Sequence, residues 1–458
     1  MTRLPELLRD LADEAPAMTV PSGLFDRARR RRRVRWAMAA TAVVVLLLSG
    51  YGVSLAGLGA DRDSAQIAAG SPGLPDTVFD PPQWTQPFDG SPNGPASVVF
   101  WGPAVPDQGF AGGAYSPAPT AVVGLSRDTY RVVYPAQPSL MLSPDGTTLL
   151  VARQSGQTYR TDAVNLATGR TRPIAAGRMP IGWSADGRYA LVGITDRWSH
   201  PDADVASIND LTIDVLAWPS GHVEWSVRIA RPDAIEGESN YLVALSPDAS
   251  MLATSTSHQL RVYRRDGTQL WHQPLTGFDI LAGPAAWRPD GRLAVLRRST
   301  CAGCRAQVGW SDPSDWRLTY VDAATGDPLP DPGYSHVSRA FSFSVIAWRA
   351  DTAYAVVRAN RDGNPEETQA RLVRLGPDGA PPRDVITMPR GTGDLTVATD
   401  YLDTIRPAGS PEFGFSLKQV AGMVVPYAQL LVLVVVIGLV VWWVRRNRTR
   451  LRPVPPAP

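Results

Sequence analysis

Leu142-Ser143-Pro144-Asp145-Gly146 returns four times along the chain. The copies are Trp183-Ser184-Ala185-Asp186-Gly187, Leu245-Ser246-Pro247-Asp248-Ala249, Trp287-Arg288-Pro289-Asp290-Gly291 and Trp348-Arg349-Ala350-Asp351-Thr352. In every copy a large apolar residue stands three places before an Asp, and a short apolar run follows. The Asp carboxylate accepts hydrogen bonds from backbone amides two residues on, and a following Gly enters the left-handed conformation without steric cost. Pro before the Asp ends a strand on its N-terminal side. The runs that follow, such as Leu149-Leu150-Val151 and Tyr189-Ala190-Leu191-Val192, are rich in the residues that fit a buried strand. Each copy reads as strand, tight turn, strand. Ala249 and Thr352 replace Gly, which predicts looser turns at those two places.

A second turn signal follows each of the first: Ala167-Thr168-Gly169, Pro219-Ser220-Gly221, Arg265-Asp266-Gly267, Ala324-Thr325-Gly326 and Pro377-Asp378-Gly379. Apolar-rich segments flank each one. Every unit thus holds four antiparallel strands, A to D. The turn Asp residues are spaced by 41, 62, 42 and 61 positions. A four-stranded propeller blade takes about 40–45 residues, so the long intervals hold a blade plus an insertion. Over residues 140–399 this pattern resembles the WD-like β-propeller repeat of bacterial periplasmic Tol-system proteins. The resemblance implies a protein-interaction platform more than an enzyme.

The two ends of the repeat region complement each other. Ser97-Val98-Val99-Phe100-Trp101, the run 121–125 and Tyr130-Arg131-Val132-Val133-Tyr134 supply three strands without an A strand. Leu395-Thr396-Val397-Ala398 supplies an A strand alone. Joining them completes a blade and removes two costly edges. The expected fold is all-β: a six-bladed β-propeller ectodomain of four-stranded antiparallel blades, flanked by two transmembrane helices.

The flanks carry the second half of that expectation. Residues 36–60 and 419–444 hold no charged residue, and a membrane-spanning helix needs about 20 apolar residues. A cleaved signal peptide is disfavoured for 36–60 because a long head precedes it. Arg27, Arg29 to Arg33 and Arg35 lie before the first stretch, and Arg445, Arg446, Arg448, Arg450 and Arg452 follow the second. The positive-inside rule then puts both termini in the cytoplasm. The expected organisation is a cytoplasmic basic head (1–35), a first transmembrane helix (36–60), a Pro/Gly-rich tether (61–95), the extracytoplasmic propeller (96–405), a second tether (406–418), a second transmembrane helix (419–444) and a cytoplasmic basic tail (445–458). The lipid bilayer is the partner this implies.

Little of the chain suggests catalysis. The five His residues are scattered, and no His-Glu-x-x-His, Gly-x-Ser-x-Gly or phosphate loop occurs. Asp202, Asp204 and Asp210 lack the Gly-turned loop of a calcium site. Cys301 and Cys304 read as a local disulfide pinning a loop outside the cytoplasm. They have no further ligands for a metal and no helix for a redox motif. No catalytic, cofactor-binding or metal residue is assigned, and no cofactor is expected. A formal net charge of +2 over 458 residues gives no ground for nucleic acid binding.

The strand order points to a binding face. In such a blade the A–B and C–D turns share one face, and the B–C and D–A loops share the other. The insertions 102–120, 197–209 and 298–316 are all B–C loops, and insertions on one face often mark the binding face of a repeat protein. They carry Phe110, Tyr115, Trp198, His200, Trp310 and Trp316, aromatic and polar candidates for anchoring a protein or cell-envelope ligand. The favoured reading is a non-catalytic scaffold. The alternative is a transmembrane signalling protein whose head controls a cytosolic partner. That head loosely resembles those of anti-sigma factors, without the His and paired Cys of the zinc-binding type.

Overall fold

The structure is a computed structural model. It describes residues 70–414 except 83–84, 89–91, 104, 106–118, 134–139, 156–157, 196–209, 231–241, 256–258, 275–278, 299–313, 361–367 and 378, together with 434, 436–443 and 445. Two compact units are present, Ser64–Gln419 and a second made of Met1–Asp63 with Val420–Pro458.

The first unit is built of strands. β1 is Leu74–Pro75, and β2 (Ala96–Trp101), β3 (Thr120–Gly124) and β4 (Tyr130–Val133) follow. The next three sheets are four-stranded and sequential. They are β5 (Leu140–Leu142) to β8 (Thr171–Ala176) through β6 (Thr148–Ser155) and β7 (Thr158–Asn165), then β9 (Met179–Trp183), β10 (Tyr189–Thr195), β11 (Asp210–Ala217) and β12 (His222–Ala230), then β13 (Leu242–Leu245), β14 (Met251–Ser255), β15 (Gln259–Arg264) and β16 (Gln269–Pro274). A seven-stranded sheet follows, made of β17 (Ile280–Leu281), β18 (Arg292–Arg298), β19 (Ser314–Asp322), β20 (Val337–Arg349), β21 (Thr352–Asn360), β22 (Thr368–Leu375) and β23 (Arg383–Asp384). In it β20 serves twice: near Val337–Ala340 it edges β19, and from Ala340 onward it is the inner partner of β21. Last come β24 (Asp394–Val397) and β25 (Ile405–Arg406).

β24 pairs with β2, matching Val98 to Val397, and completes the sheet β24-β2-β3-β4 from both ends of the repeat region. The inner strands touch in succession: β24 and β5, β5 and β9, β9 and β13, β13 and β17. The Val345 N–H donates to the Ala282 carbonyl at 2.5 Å, linking the fifth unit to the sixth, and β21 and β22 return to β24. Among the described residues the sheets therefore form a closed circuit of propeller-like blades, numbered here from β24-β2-β3-β4 as blade one.

The repeated turn explains the repetition of the sheet. The Ser143 hydroxyl donates to Asp145 at 2.6 Å and accepts the Thr148 N–H at 2.9 Å, while Asp145 accepts the Thr147 N–H at 3.0 Å. Ser184 with Asp186, and Ser246 with Asp248, repeat the arrangement within 0.1 Å. The expectation of two looser turns is corrected. Ala249 takes the left-handed φ of 57° and keeps the full network. In blade six the left-handed residue is Ala350, at φ 50°, and Arg349 pairs directly with Thr352. That is a two-residue hairpin with positive φ at its first central position, tighter than its relatives.

Tryptophan links the blades. The indole N–H groups of Trp183, Trp287 and Trp348 donate to the carbonyls of Met141, Ala244 and Ala285, each on or just beyond the inner strand of the preceding blade. The distances are 3.1, 3.0 and 2.6 Å. The large apolar residue before each Asp is thus packing and a hydrogen-bond donor at once. Between the blades lie buried layers such as Leu191, Ile213 and Leu252, or Leu149, Val99 and Val122.

The described part of the stretch read as a Pro/Gly-rich tether, from residue 70 on, pairs with this unit. β1 pairs in parallel with β25, and Thr77 bridges Thr387 next to blade six. Pro87 bridges Val132 and Glu412 bridges Thr129, so segments from both ends cover the outer strand of blade one. Leu74, Val78 and Phe88 are buried there. An exposed β4 edge would be open to pairing with another chain, and the cover removes it.

The expectation of two transmembrane helices is corrected. Among the described residues no helix is long and apolar enough to cross a membrane. α-Helix is described only at 434, 436–443 and 445, short of the roughly 20 residues a span needs. Residues 36–60 and 419–433 lie outside the described residues. An uncharged apolar run is a requirement of a spanning helix, and by itself does not establish one.

Candidate partner-binding face

The two faces of the propeller unit differ in what their connections do. On the A–B and C–D face most turns are short, residues 323–336 after β19 being the longest connection there, and several of their polar groups are paired. Where blades two to four have Ser, blade five has Arg288, which sequence reasoning passed over. Its guanidinium is buried and donates to Asp351 at 2.7 Å and to the Tyr320 hydroxyl at 2.9 Å. It also lies over the Trp348 ring, 4.9 Å from the centroid. Burial opposes its charge, but Asp351 and Tyr320 outweigh that and push its pKa up. Arg349, at the equivalent position one blade on, reaches Asp403 at 2.9 Å and the Thr399 carbonyl at 2.6 Å. Asp128, in the C–D turn of blade one, receives Arg406 at 2.7 Å and the Gly409 N–H. This face is stitched to itself.

The opposite face receives the long connections. β2 to β3, β10 to β11, β18 to β19 and β21 to β22 are B–C connections, and β12 to β13 is a D–A connection. Phe110, Tyr115, Trp198, His200 and Trp310 lie outside the described residues, as do Cys301 and Cys304. Trp316 is corrected. It belongs to β19, paired with Arg298, and is 3% exposed with its indole N–H donated to the Ala340 carbonyl at 2.8 Å. The strand begins earlier than its polar lead-in suggested, so this ring is core.

Two buried carboxylates lie within the C strands of blades two and three. Asp162, wholly buried, meets Arg153 at 3.2 Å and Arg160 at 2.9 Å. Asp214 meets Arg178 and the Ser226 hydroxyl, both at 2.6 Å. Asp162 pairs with Val151 and Asp214 with Val192, each Val six residues after its turn Asp. A carboxylate at the same repeat position of both C strands was the available sequence signal. Asp394 opens β24, is exposed, and is still surrounded by enough protein that desolvation raises its carboxyl above the ordinary value. The Leu395 N–H and the Arg358 charge work against that rise. Among the described residues no group of three His, Cys, Asp or Glu side chains could hold a metal ion.

No protein-family model and no curated protein sequence matches the chain. Among solved structures it is similar to TolB from Acinetobacter baumannii, at 15% identity over 66% of each chain and a TM-score of 0.37. The β-propeller domain of the Trilobed protease from Pyrococcus furiosus, of open velcro topology, matches at 10% identity over 62% of this chain and 87% of that one, TM-score 0.36. The acylaminoacyl peptidase from Pyrococcus horikoshii matches at 12% identity and a TM-score of 0.36, over 59% of this chain. The chain spans 41% of that peptidase's length. The propeller assignment rests on the strand order and the circuit of inner strands.

Proposed function

We propose that this protein is a non-catalytic binding scaffold, a propeller whose long-connection face engages a protein or cell-envelope ligand. One observation carries the reading. Polar groups of the tight-turn face are spent on one another, as at Arg288 and Asp351, whereas most of the long connections between blade strands leave from the opposite face. Insertions gathered on one face of a repeat fold supply adaptable contact surface without disturbing the core. The proposed place of action is outside the cytoplasm, on the side to which a Cys301–Cys304 disulfide would be suited.

The test is loop replacement followed by partner recovery. Residues 103–119, 197–209 and 299–313 are each replaced by a short Gly-Ser turn, and crosslinked partners are identified by mass spectrometry. At least one replacement is expected to lose a partner while the propeller keeps its denaturation midpoint. If all three fold and retain every partner, the reading fails.

A further inference from the structure

Blade five lacks a regular outer strand. β20 edges β19 only around Ser314 and Trp316. Further along β19 the cover is a single bridge from Val321 to Pro328 and the Leu329 N–H donated to the Tyr320 carbonyl at 2.9 Å. Between this open edge and blade four lies a cavity of about 320 Å³. Leu260, Val295 and Leu329 give it apolar wall, and Asp279, Arg297 and Thr319 line it as well. Ligand sites usually run from about 300 to 1,000 Å³, so this one suits a group the size of one long side chain.

Asp279 is the unusual member. It is 6% exposed. Its partner is Arg297, whose nitrogens come no nearer than 3.4 Å. Charge-assisted bonds of this kind normally close to about 2.7–2.9 Å, and a carboxylate can accept about four hydrogen bonds. The Arg297 side chain is 57% exposed, so much of its charge is answered by water. Arg317 and Asp331, also on the wall, are paired with each other. The demand left over is for a donor at Asp279. Burial, the largest influence on that carboxyl, raises it in spite of Arg297, which is the sign of an under-partnered acid.

We propose that this cavity binds the cationic end of a ligand, an alkylammonium or guanidinium group, with Asp279 as counter-ion and the Leu260, Val295 and Leu329 surfaces taking its methylene stem. Such a group comes either on a free amine or on a Lys or Arg side chain of a peptide. The site lies in the side of the propeller between two blades. It goes beyond the long-connection reading and stands without it.

The full chain is titrated by calorimetry with agmatine and, separately, with an end-blocked peptide containing one Arg. An uncharged butylurea serves as control. At least one cationic probe is expected to bind at millimolar concentration or tighter, and butylurea far more weakly. Asp279→Asn should weaken binding by roughly tenfold or more, since it removes the partner of a desolvated charge, while Asp279→Glu retains part of it. Binding of agmatine identifies a site for free ligands; binding of the peptide alone identifies a polypeptide source, and either supports the proposal. Failure of both probes overturns it, as does equal binding to Asp279→Asn in a protein whose denaturation midpoint shows it folded. The chain with residues 103–119 and 197–209 shortened should bind as the parent does, which separates this site from the long-connection face.

Discussion

A single indole nitrogen shows how the ring is held. Trp287 and Trp225 are both buried, but the Trp287 N–H reaches Ala244 at 3.0 Å and the Trp225 N–H has no partner among the described residues. A hydrogen bond is worth about 1 kcal/mol net, and an orphaned buried polar group costs about 1–3 kcal/mol. Trp287→Phe should therefore destabilise by about 1–2 kcal/mol in urea unfolding, whereas Trp225→Phe should be neutral or stabilising. Ser246 gives a second case. Its hydroxyl is the main influence holding the Asp248 carboxyl below the ordinary value. A depressed folded value means stability present above the unfolded carboxylate range and lost as pH falls through the folded one. Ser246→Ala should lower the urea midpoint near neutral pH, and the gap from the parent should shrink in acid. Asp279 has the opposite sign. Its carboxyl is raised above 3.8, so ionisation costs stability as pH climbs from that value through the raised one. Asp279→Asn should raise the midpoint at neutral pH, with the gain fading as the buffer approaches 3.8.

At the scale of elements, the terminal segments behave as part of the sheet they cover. Phe88 is 2% exposed, and the Phe88 N–H donates to the Val132 carbonyl on β4 at 2.9 Å. Phe88→Ala should cost about 3–5 kcal/mol, the usual range for a large buried side chain, measured by denaturant unfolding of the full chain. A free tether would give no change. The docking was hidden in the sequence because Pro and Gly density reports the absence of regular hydrogen bonding within a segment. It says nothing of whether the segment's isolated apolar residues, here Leu74, Val78 and Phe88, find a pocket elsewhere. The turn of blade six was misread for a related reason. Thr352 stands where three of the other copies have Gly and one has Ala249, but the left-handed residue moved to Ala350 once Arg349 and Thr352 paired.

For the whole molecule, closure is the decisive event. β2 and β24 are about 300 residues apart in the chain yet share a ladder from Val98–Val397 to Trp101–Asp394. A chain ending at residue 390 would leave the inner edge of β2 unpaired and Val98 and Phe100 less covered. It should unfold at lower denaturant and associate through that edge, read by light scattering. The seam is stabilised from outside as well, where Leu74, Val78, Tyr130 and Ile386 share one apolar cluster.

The repeated Ser-x-Asp turns and the strand–turn–strand units were determined by the sequence itself, because each is a local matter of turn chemistry and alternation that needs no distant partner to be read; the complementary ends were legible because one end lacks an inner strand and the other supplies only that strand. The faces of the ring followed from strand order alone. Tertiary structure decided the rest. Trp183, Trp287 and Trp348 read as packing residues, and only the neighbouring blade supplied carbonyls for their N–H groups. Arg288 drew no reading from the sequence, and only the approach of Tyr320, Trp348 and Asp351 made it a buried cation. Asp279 read as nothing in particular. Its isolation arises from the missing outer strand of blade five, and a missing neighbour leaves no mark in the residue's own surroundings along the chain.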